Sequence, residues 1–212
     1  MTQLFRERNF LIFFLSILHI AGIIGLLVAK DLFLLLTPLN LILCSLLLLN
    51  YSRMFSLKTL IPLIAIAFVG WAVEVIGVRT GWIFGHYEYL HGLGWRVLSV
   101  PILIGLNWAM LCFSSVQLVH YHFQVTNPFW GALLASLYMT ALDSIMEFVA
   151  PDLFFWTFYS DYAPLQNFIG WFVVGFLLSF TFFKEIGKQK NDVAPYYLFI
   201  QTVFFTALYF LL

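Results

Sequence analysis

Three acidic residues lie inside long apolar stretches of this sequence, where an ionisable side chain is unexpected. They are Glu74, Asp143 and Glu147. If these stretches cross a membrane, each such group costs on the order of 2.5–3.5 kcal/mol at the bilayer centre, so its presence requires a reason. Asp143 and Glu147 are four residues apart and share one face of a helix. Neighbouring carboxyl groups in a medium of low dielectric tend to keep at least one proton, which predicts a proton donor in an apolar pocket.

A purely structural interpretation of these acids is also open. Arg79 and Arg96 follow or precede apolar stretches at the same side of the predicted membrane and are candidate counter-ions. In that case the carboxyl groups would pair with arginine or with backbone and hold a helix bundle together. Glu147 lies beside the next loop and is also consistent with an exposed helix end. Asn107 and Trp108 supply a polar amide and an indole nearer the middle of another apolar stretch.

The histidines do not form a recognisable metal site. His86 and His91 share one loop, His120 and His122 lie in another on the opposite side of the predicted membrane, and His19 is alone in the first apolar stretch. No HxxxH or HExxH pattern occurs on a helix. We therefore expect no metal, and we interpret His19 as a core histidine. The two cysteines lie in apolar stretches and are typical of buried thiols.

The composition places these residues in a membrane protein. Of the 212 residues, 63% are hydrophobic and 9% are charged, the mean hydropathy is +0.97 and the net charge is zero. Charged residues make up about 25% of a soluble domain, so water is not the main solvent of this chain. The absence of a basic run excludes a nucleic-acid partner and favours apolar partners within a lipid bilayer.

The apolar stretches predict one all-α domain, residues 1–212, built as a polytopic bundle of about seven transmembrane helices. A span needs about 20 mainly apolar residues. The segments of that size are 9–29, 32–50, 58–78, 98–119, 128–149, 167–186 and 194–212.

The distribution of cations predicts the orientation in the inner (cytoplasmic) membrane. With the N-terminus in the cytoplasm, seven cations lie inside and three outside, as the positive-inside rule requires. The inner ones are Arg6, Arg8, Arg53, Lys58, Lys184, Lys188 and Lys190, and the outer ones are Lys30, Arg79 and Arg96. The outer loops then carry rings typical of an interface belt or of a site mouth: Trp82, Tyr87, Tyr89, Trp95, Trp156, Tyr159 and Tyr162.

The segment from Glu74 to Tyr89 resembles the signature of the bacterial and archaeal carotenoid biosynthesis membrane proteins, which include carotenoid 1,2-hydratases and bisanhydrobacterioruberin hydratase. That signature reads E-x-x-G-x-x-T-G-x-x-F-G-x-Y-x-Y and is followed by Val-Pro and an aromatic-rich helix; Val100-Pro101 and Asn107-Trp108 match this continuation. Asp143 with Glu147 and the Phe155-Trp156 loop is similar to the family's second acidic segment. Family members more often place aspartate and proline where this chain has Glu147 and Phe148. The resemblance covers roughly residues 60–190.

The resemblance implies addition of water to the terminal isopropylidene double bond of a carotenoid. Such a reaction needs an acid, a pocket that tolerates a tertiary carbocation, and one positioned water. Glu74 or Asp143 would be the acid and the other would stabilise the cation or orient water, while His86 and Asn107 would hold the water. The aromatic rings expected around the substrate are Trp82, Phe84, Tyr87, Tyr89, Trp108 and Trp156. No cofactor is implied, and other enzymes of the carotenoid pathway are further expected partners.

Three other functions remain open at this stage. A membrane carotenoid cyclase shares the protonation step, but an internal double bond captures the cation; a uniformly aromatic pocket would favour it. A transporter or proton relay is the default interpretation of intramembrane acids, although no inverted repeat is evident. A non-catalytic scaffold for pigment enzymes is the third. In the enzyme interpretations, the glycine-rich segment 79–97 would form a lid over the substrate end.

Overall fold

A computed structural model describes residues 7–51, 57–186 and 190–212. Within these ranges, seven helices are long and apolar enough to cross a membrane, which confirms the predicted all-α transmembrane bundle. Three of the cations used to predict the orientation, Arg6, Arg53 and Lys188, lie outside the described residues, as does the side chain of Lys58.

The helices follow the apolar stretches closely. Asn127 shows how one of them begins: its side-chain oxygen accepts hydrogen bonds from the backbone N–H groups of Phe129 (3.0 Å) and Trp130 (3.3 Å), and Pro128 occupies the first helical position. Both features are typical of a helix N-terminus. The helices are α1 (Arg8–Val28), α2 (Lys30–Tyr51), α3 (Leu57–Thr80), α4 (Ile102–Gln117), α5 (Pro128–Val149), α6 (Leu165–Ile186) and α7 (Ala194–Leu211), and a π-helical turn (Leu118–His122) extends α4.

Helix α4 lies at the centre of the bundle. Twelve of its sixteen residues are buried, and it contacts α2, α3, α5, α6 and α7. Glycines permit the close approach of α3: a Cβ atom on Gly70 would lie 2.6 Å from the Cβ of Trp108, and one on Gly105 would meet the backbone oxygen of Ala67. Small residues at such contacts let helices pack tightly where no hydrophobic effect drives their association.

Four short strands cover one end of the bundle. Strand β1 (Tyr87–Tyr89) pairs antiparallel with β4 (Trp156–Phe158), and β2 (Arg96–Val97) pairs antiparallel with β3 (Val100–Pro101). The β1–β4 pair joins the α3–α4 connection (81–101) to the α5–α6 connection (150–164), and we call these two segments the strand cap. The prediction that span four begins at residue 98 is therefore wrong, because residues 96–101 pair as β2 and β3 and α4 begins at Ile102.

Alternation in β1 directs its tyrosines inward. Tyr87 and Tyr89 are buried and Glu88 between them is exposed, as the two-residue period of a strand requires. Gly81 and Gly85, with φ of +68° and +91°, make the turns that lead from α3 into β1. The strand cap therefore projects two phenol groups back towards the ends of the helices beneath it.

Candidate functional site: a carboxyl cluster beneath the strand cap

Glu74 is enclosed by three neutral hydrogen-bond donors. It lies six residues before the end of α3 and its side chain is 2% exposed. Its Oε2 accepts hydrogen bonds from the hydroxyl groups of Tyr87 and Tyr89, the latter at 2.9 Å, and its Oε1 accepts one from Trp108 Nε1 at 2.9 Å. Both carboxyl oxygens are thus satisfied by donors from β1 and α4, an arrangement that stabilises a carboxylate.

Asp143 and Glu147 share one amide. Asn167, near the start of α6, donates from Nδ2 to Asp143 Oδ2 (3.0 Å) and to Glu147 Oε1 (2.8 Å). The indole of Trp156 in β4 donates to Glu147 Oε2 at 2.9 Å. The second oxygen of Asp143, Oδ1, is buried and has no hydrogen-bond partner among the described residues. This oxygen lacks the donors that a buried ionised carboxylate requires.

A small cavity separates Glu74 from Glu147. Its volume of about 10 Å³ is at the lower limit for one water molecule. Besides the two carboxyl groups and Asn167, its wall is apolar or aromatic: Phe84, Tyr87, Tyr89, Ile104, Trp156, Phe158 and Trp171. The cavity therefore combines acids, one amide and six aromatic rings around a space of water size.

Among the described residues, no cation forms an ion pair with this cluster. Arg96 donates from Nη1 to the backbone oxygen of Tyr89 at 2.7 Å and so supports β1 instead of pairing with an acid. Among the residues that the structure describes, the one ion pair is Lys190–Asp192, at the end of the bundle opposite the strand cap. The acids are thus held by neutral donors, and the arginine pairing considered from the sequence is not observed.

Tyr87 and Tyr89 remain proton donors over a wide pH range. Burial, and next the neighbouring Glu74 carboxyl group, raises the pKa of each phenol well above its ordinary value of about 10. Because the neutral form is favoured, both hydroxyl groups keep the proton that they donate to Glu74 at any physiological pH.

The structure brings most of the predicted site residues together but leaves three apart. Phe84, Tyr87, Tyr89 and Trp156 line the small cavity with the acids, and Trp108 binds Glu74 directly. Of the three left apart, Trp82 is 81% exposed. His86 is also exposed, with its ring against Gly81. Asn107 lines a different cavity.

Three cavity residues escaped the sequence analysis. Asn167 stands at the first position of the predicted sixth span; an amide in an apolar span is the signal that could have identified it, as for Asn107. Trp171 lies four residues later on the same helical face and stacks on Trp108 with ring centroids 4.1 Å apart. Phe158 reaches the cavity through the pairing of β4 with β1, for which the sequence offered no periodic signal.

A second, larger cavity adjoins the cluster. Its volume is about 280 Å³, and it is lined mainly by apolar side chains of α1, α2, α4 and α7. Ile104 and Trp156 line both cavities. An elongated apolar ligand in the larger cavity would therefore have one end beside the carboxyl groups. Within the described residues, no group of three or more histidine, cysteine, aspartate or glutamate side chains could hold a metal ion.

The family follows from comparison with known proteins. Neither the curated proteins nor the solved structures provide a match to this chain. The family model described as "Carotenoid biosynthesis protein" matches residues 31–212 and so includes every residue of the carboxyl cluster. The chain therefore belongs to this family of carotenoid biosynthesis proteins.

Proposed function

We propose that the protein hydrates the terminal isopropylidene double bond of an acyclic or monocyclic carotenoid by acid catalysis. The observation that carries this proposal is the arrangement of Glu74, Glu147 and Asn167 around a cavity of water size, with no ion-paired cation among the residues that the structure describes. The adjoining apolar cavity supports it, because a polyene chain requires an apolar site beside the acid.

The hydrogen bonds suggest different roles for the acids. Glu74 has donors on both oxygens, as a carboxylate needs. Asn167 gives one N–H to Asp143 and one to Glu147, and Trp156 donates to the other oxygen of Glu147, so Asp143 Oδ1 is the carboxyl oxygen left without a partner among the described residues. A proton shared by this pair removes the cost of two adjacent buried charges. Glu147 lines the cavity and is our candidate for the acid that meets the alkene. Asp143 lies behind it and positions the shared proton.

In the reaction, Glu147 transfers its proton to the less substituted carbon of the double bond. The π electrons form the new C–H bond, and the positive charge develops on the tertiary carbon. The Glu74 carboxylate and the surrounding aromatic faces stabilise that charge. Water then forms the C–O bond and gives its surplus proton to Glu74, so the product is a tertiary alcohol and no electrons are gained or lost. A proton returns from Glu74 to the Asp143–Glu147 pair across the cavity that Glu74 and Glu147 line.

Carotenoid cyclisation is a second candidate, favoured by the six aromatic rings of the cavity wall. Such a wall stabilises a carbocation long enough for an internal double bond to capture it. Asn167 and the water-sized volume favour capture by water, because an amide beside the acid can hold the nucleophile. The mass of the product distinguishes the two reactions.

The test is expression in a bacterium that accumulates lycopene, with pigments analysed by liquid chromatography and mass spectrometry. We expect a product heavier by one water with the unchanged protein, and its loss in Glu74→Gln, Glu147→Gln and Asp143→Asn. Glu88→Gln is the matched control: this residue lies between Tyr87 and Tyr89 in β1 but is exposed, so the product should persist. Immunoblotting of membranes confirms equal protein amounts.

Other outcomes would reject hydration. An isomer of unchanged mass would establish cyclisation. If neither lycopene nor a monocyclic carotenoid changes, hydration of these substrates is rejected, and a different substrate or a non-enzymatic role such as a transporter or scaffold is left to test. If the heavier product persists in all three carboxyl variants, these acids are not the catalytic groups.

A further inference from the structure

Two buried polar side chains, one from α1 and one from α7, belong to the lining of the larger cavity. His19 of α1 is 6% exposed and Gln201 of α7 is 8% exposed, and both line this cavity. The ring of His19 packs edge-on against Tyr197 and Phe204, with centroid distances of 6.0 and 5.5 Å. The hydration mechanism makes no use of either residue.

Each of these side chains keeps one polar atom without a hydrogen-bond partner among the described residues. His19 Nδ1 lies 2.8 Å from the backbone oxygen of Leu15, so Nδ1 carries the proton and Nε2 of the neutral ring is an acceptor. Gln201 Nε2 donates to the hydroxyl oxygen of Tyr197 at 2.8 Å, which leaves its buried Oε1 without a partner among the described residues. Exchanging the two amide atoms would still leave one of them unpartnered. Buried groups of this kind are normally hydrogen-bonded.

The position of the pair relates it to the carboxyl cluster. His19 is nine residues and Gln201 ten residues from the ends of their helices on the strand-cap side, compared with six for Glu74. At 1.5 Å per residue, the pair lies roughly 5 Å deeper in the bundle than the acids. If one end of an elongated ligand reaches Trp156, a more internal part of that ligand would therefore lie beside His19 and Gln201.

We propose that His19 and Gln201 form a subsite that binds a hydroxyl group carried by the isoprenoid chain in the larger cavity. A hydroxyl group can donate to His19 Nε2 or Gln201 Oε1 and carries no charge, which suits a site deep in an apolar bundle. The subsite makes the protein select an oxygenated chain over a pure hydrocarbon. Only the identity of this chain as a carotenoid rests on the proposed function.

The test uses two saturated C20 isoprenoids that cannot be hydrated, the alcohol phytanol and the hydrocarbon phytane. Native mass spectrometry of the purified protein in detergent measures how much of each is bound. We expect the unchanged protein to prefer phytanol by about tenfold, the effect of one hydrogen bond of about 1.4 kcal/mol. In Gln201→Met and His19→Phe, which keep the side-chain volume, this preference should fall towards one while phytane remains bound.

The control is Thr202→Val, the neighbouring position on α7. Thr202 interacts with Leu198 and Tyr138 and does not line the cavity, so the preference should persist. Equal binding of both compounds by the unchanged protein, binding of neither, or an equal loss of both in the two variants would overturn the proposal. Since neither probe has a double bond, a failure of the lycopene assay would leave this result unaffected, and a failure here would leave hydration standing.

Discussion

Glu74 and Asp143 are both buried, yet they differ in the number of hydrogen-bond donors around them. Three donors meet the two oxygens of Glu74. Asp143 receives only one N–H, from the Asn167 amide that also serves Glu147, and its Oδ1 has no partner among the described residues; Trp156 satisfies the other oxygen of Glu147. This difference separates a carboxylate site from a site that keeps a proton, as paired acids do where their environments differ. The division of roles in the proposed hydration thus depends more on Tyr87, Tyr89 and Asn167 than on the acids themselves.

Asn167 provides a sharp test of that division. In Asn167→Ala, both hydrogen bonds from the amide to the acid pair are lost, so Asp143 Oδ2 loses its donor and Glu147 is held by Trp156 alone. We expect conversion of lycopene to fall by at least about tenfold, the factor that corresponds to about 1.4 kcal/mol of transition-state stabilisation. Initial rates of product formation in membranes that contain equal amounts of protein measure this change.

Asn107→Ala is the matched control. Asn107 is also a half-buried amide in a predicted span, but it makes no side-chain hydrogen bond to any residue that the structure describes. We expect its loss to change the rate much less than that of Asn167. If the two substitutions reduced the rate equally, the hydrogen bonds from Asn167 to Asp143 and Glu147 would not be specifically required for the reaction.

Single residues show which part of the site was predictable. An acid in an apolar span is costly wherever the span lies, so Glu74, Asp143 and Glu147 could be identified without a structure. The direction of a loop side chain depends on strand pairing that only the folded bundle provides. This is why His86 lies outside the cluster, although its loop supplies Tyr87 and Tyr89.

At the level of helices, the site depends on how closely α3 approaches α4. Trp108 reaches Glu74 because Gly70 and Gly105 leave no side chain between the two backbones. In Gly105→Ala the new methyl group would meet the backbone oxygen of Ala67 and the Cβ of Trp71, and backbone cannot move aside as a flexible side chain can. We expect this variant to lose about 1–3 kcal/mol of stability. Heating in detergent, followed by size-exclusion chromatography of the remaining monodisperse protein, measures the loss.

Gly175→Ala is the control for this substitution. A Cβ atom there would lie 3.5 Å from the Cβ of Ser136, an ordinary contact, and alanine is the better helix former by about 1 kcal/mol. This variant should be as stable as the unchanged protein or slightly more so. A comparable loss in both variants would show that the α3–α4 contact has no special role.

Helices and strands differed in how far the sequence predicted them. Hydropathy marks each span, because about 20 apolar residues are needed whatever the neighbours are, and six of the seven predicted spans begin within two residues of the observed helices. The strand cap consists of pairs two or three residues long. Segments this short have no periodic signal, and they pair only because α3 and α5 end at the same side of the bundle. The helices that pack against α4 could not be predicted from the sequence either, because lipid-facing and core-facing positions are both apolar.

For the whole molecule, the odd number of helices places the two ends of the described chain on opposite sides of the bundle. The strand cap and the carboxyl cluster lie on the side where α7 ends. The excess of cations on the other side predicts that the cap faces away from the cytoplasm. A substrate would then be protonated in the outer leaflet, and the orientation determines from which leaflet the polyene is supplied.

Cysteine labelling tests this orientation, since both native cysteines are buried and give little background. Trp95 in the strand cap is 89% exposed, and the side chain of Lys190, which precedes α7, is 60% exposed. In intact spheroplasts, a membrane-impermeant maleimide should label Trp95→Cys at once and Lys190→Cys only after the membrane is permeabilised. Labelling of Lys190→Cys alone would place the cap in the cytoplasm, and labelling of both before permeabilisation would contradict an odd number of spans. Because the carboxyl groups lie directly beneath the cap, the same result fixes the leaflet in which the proposed hydration would occur.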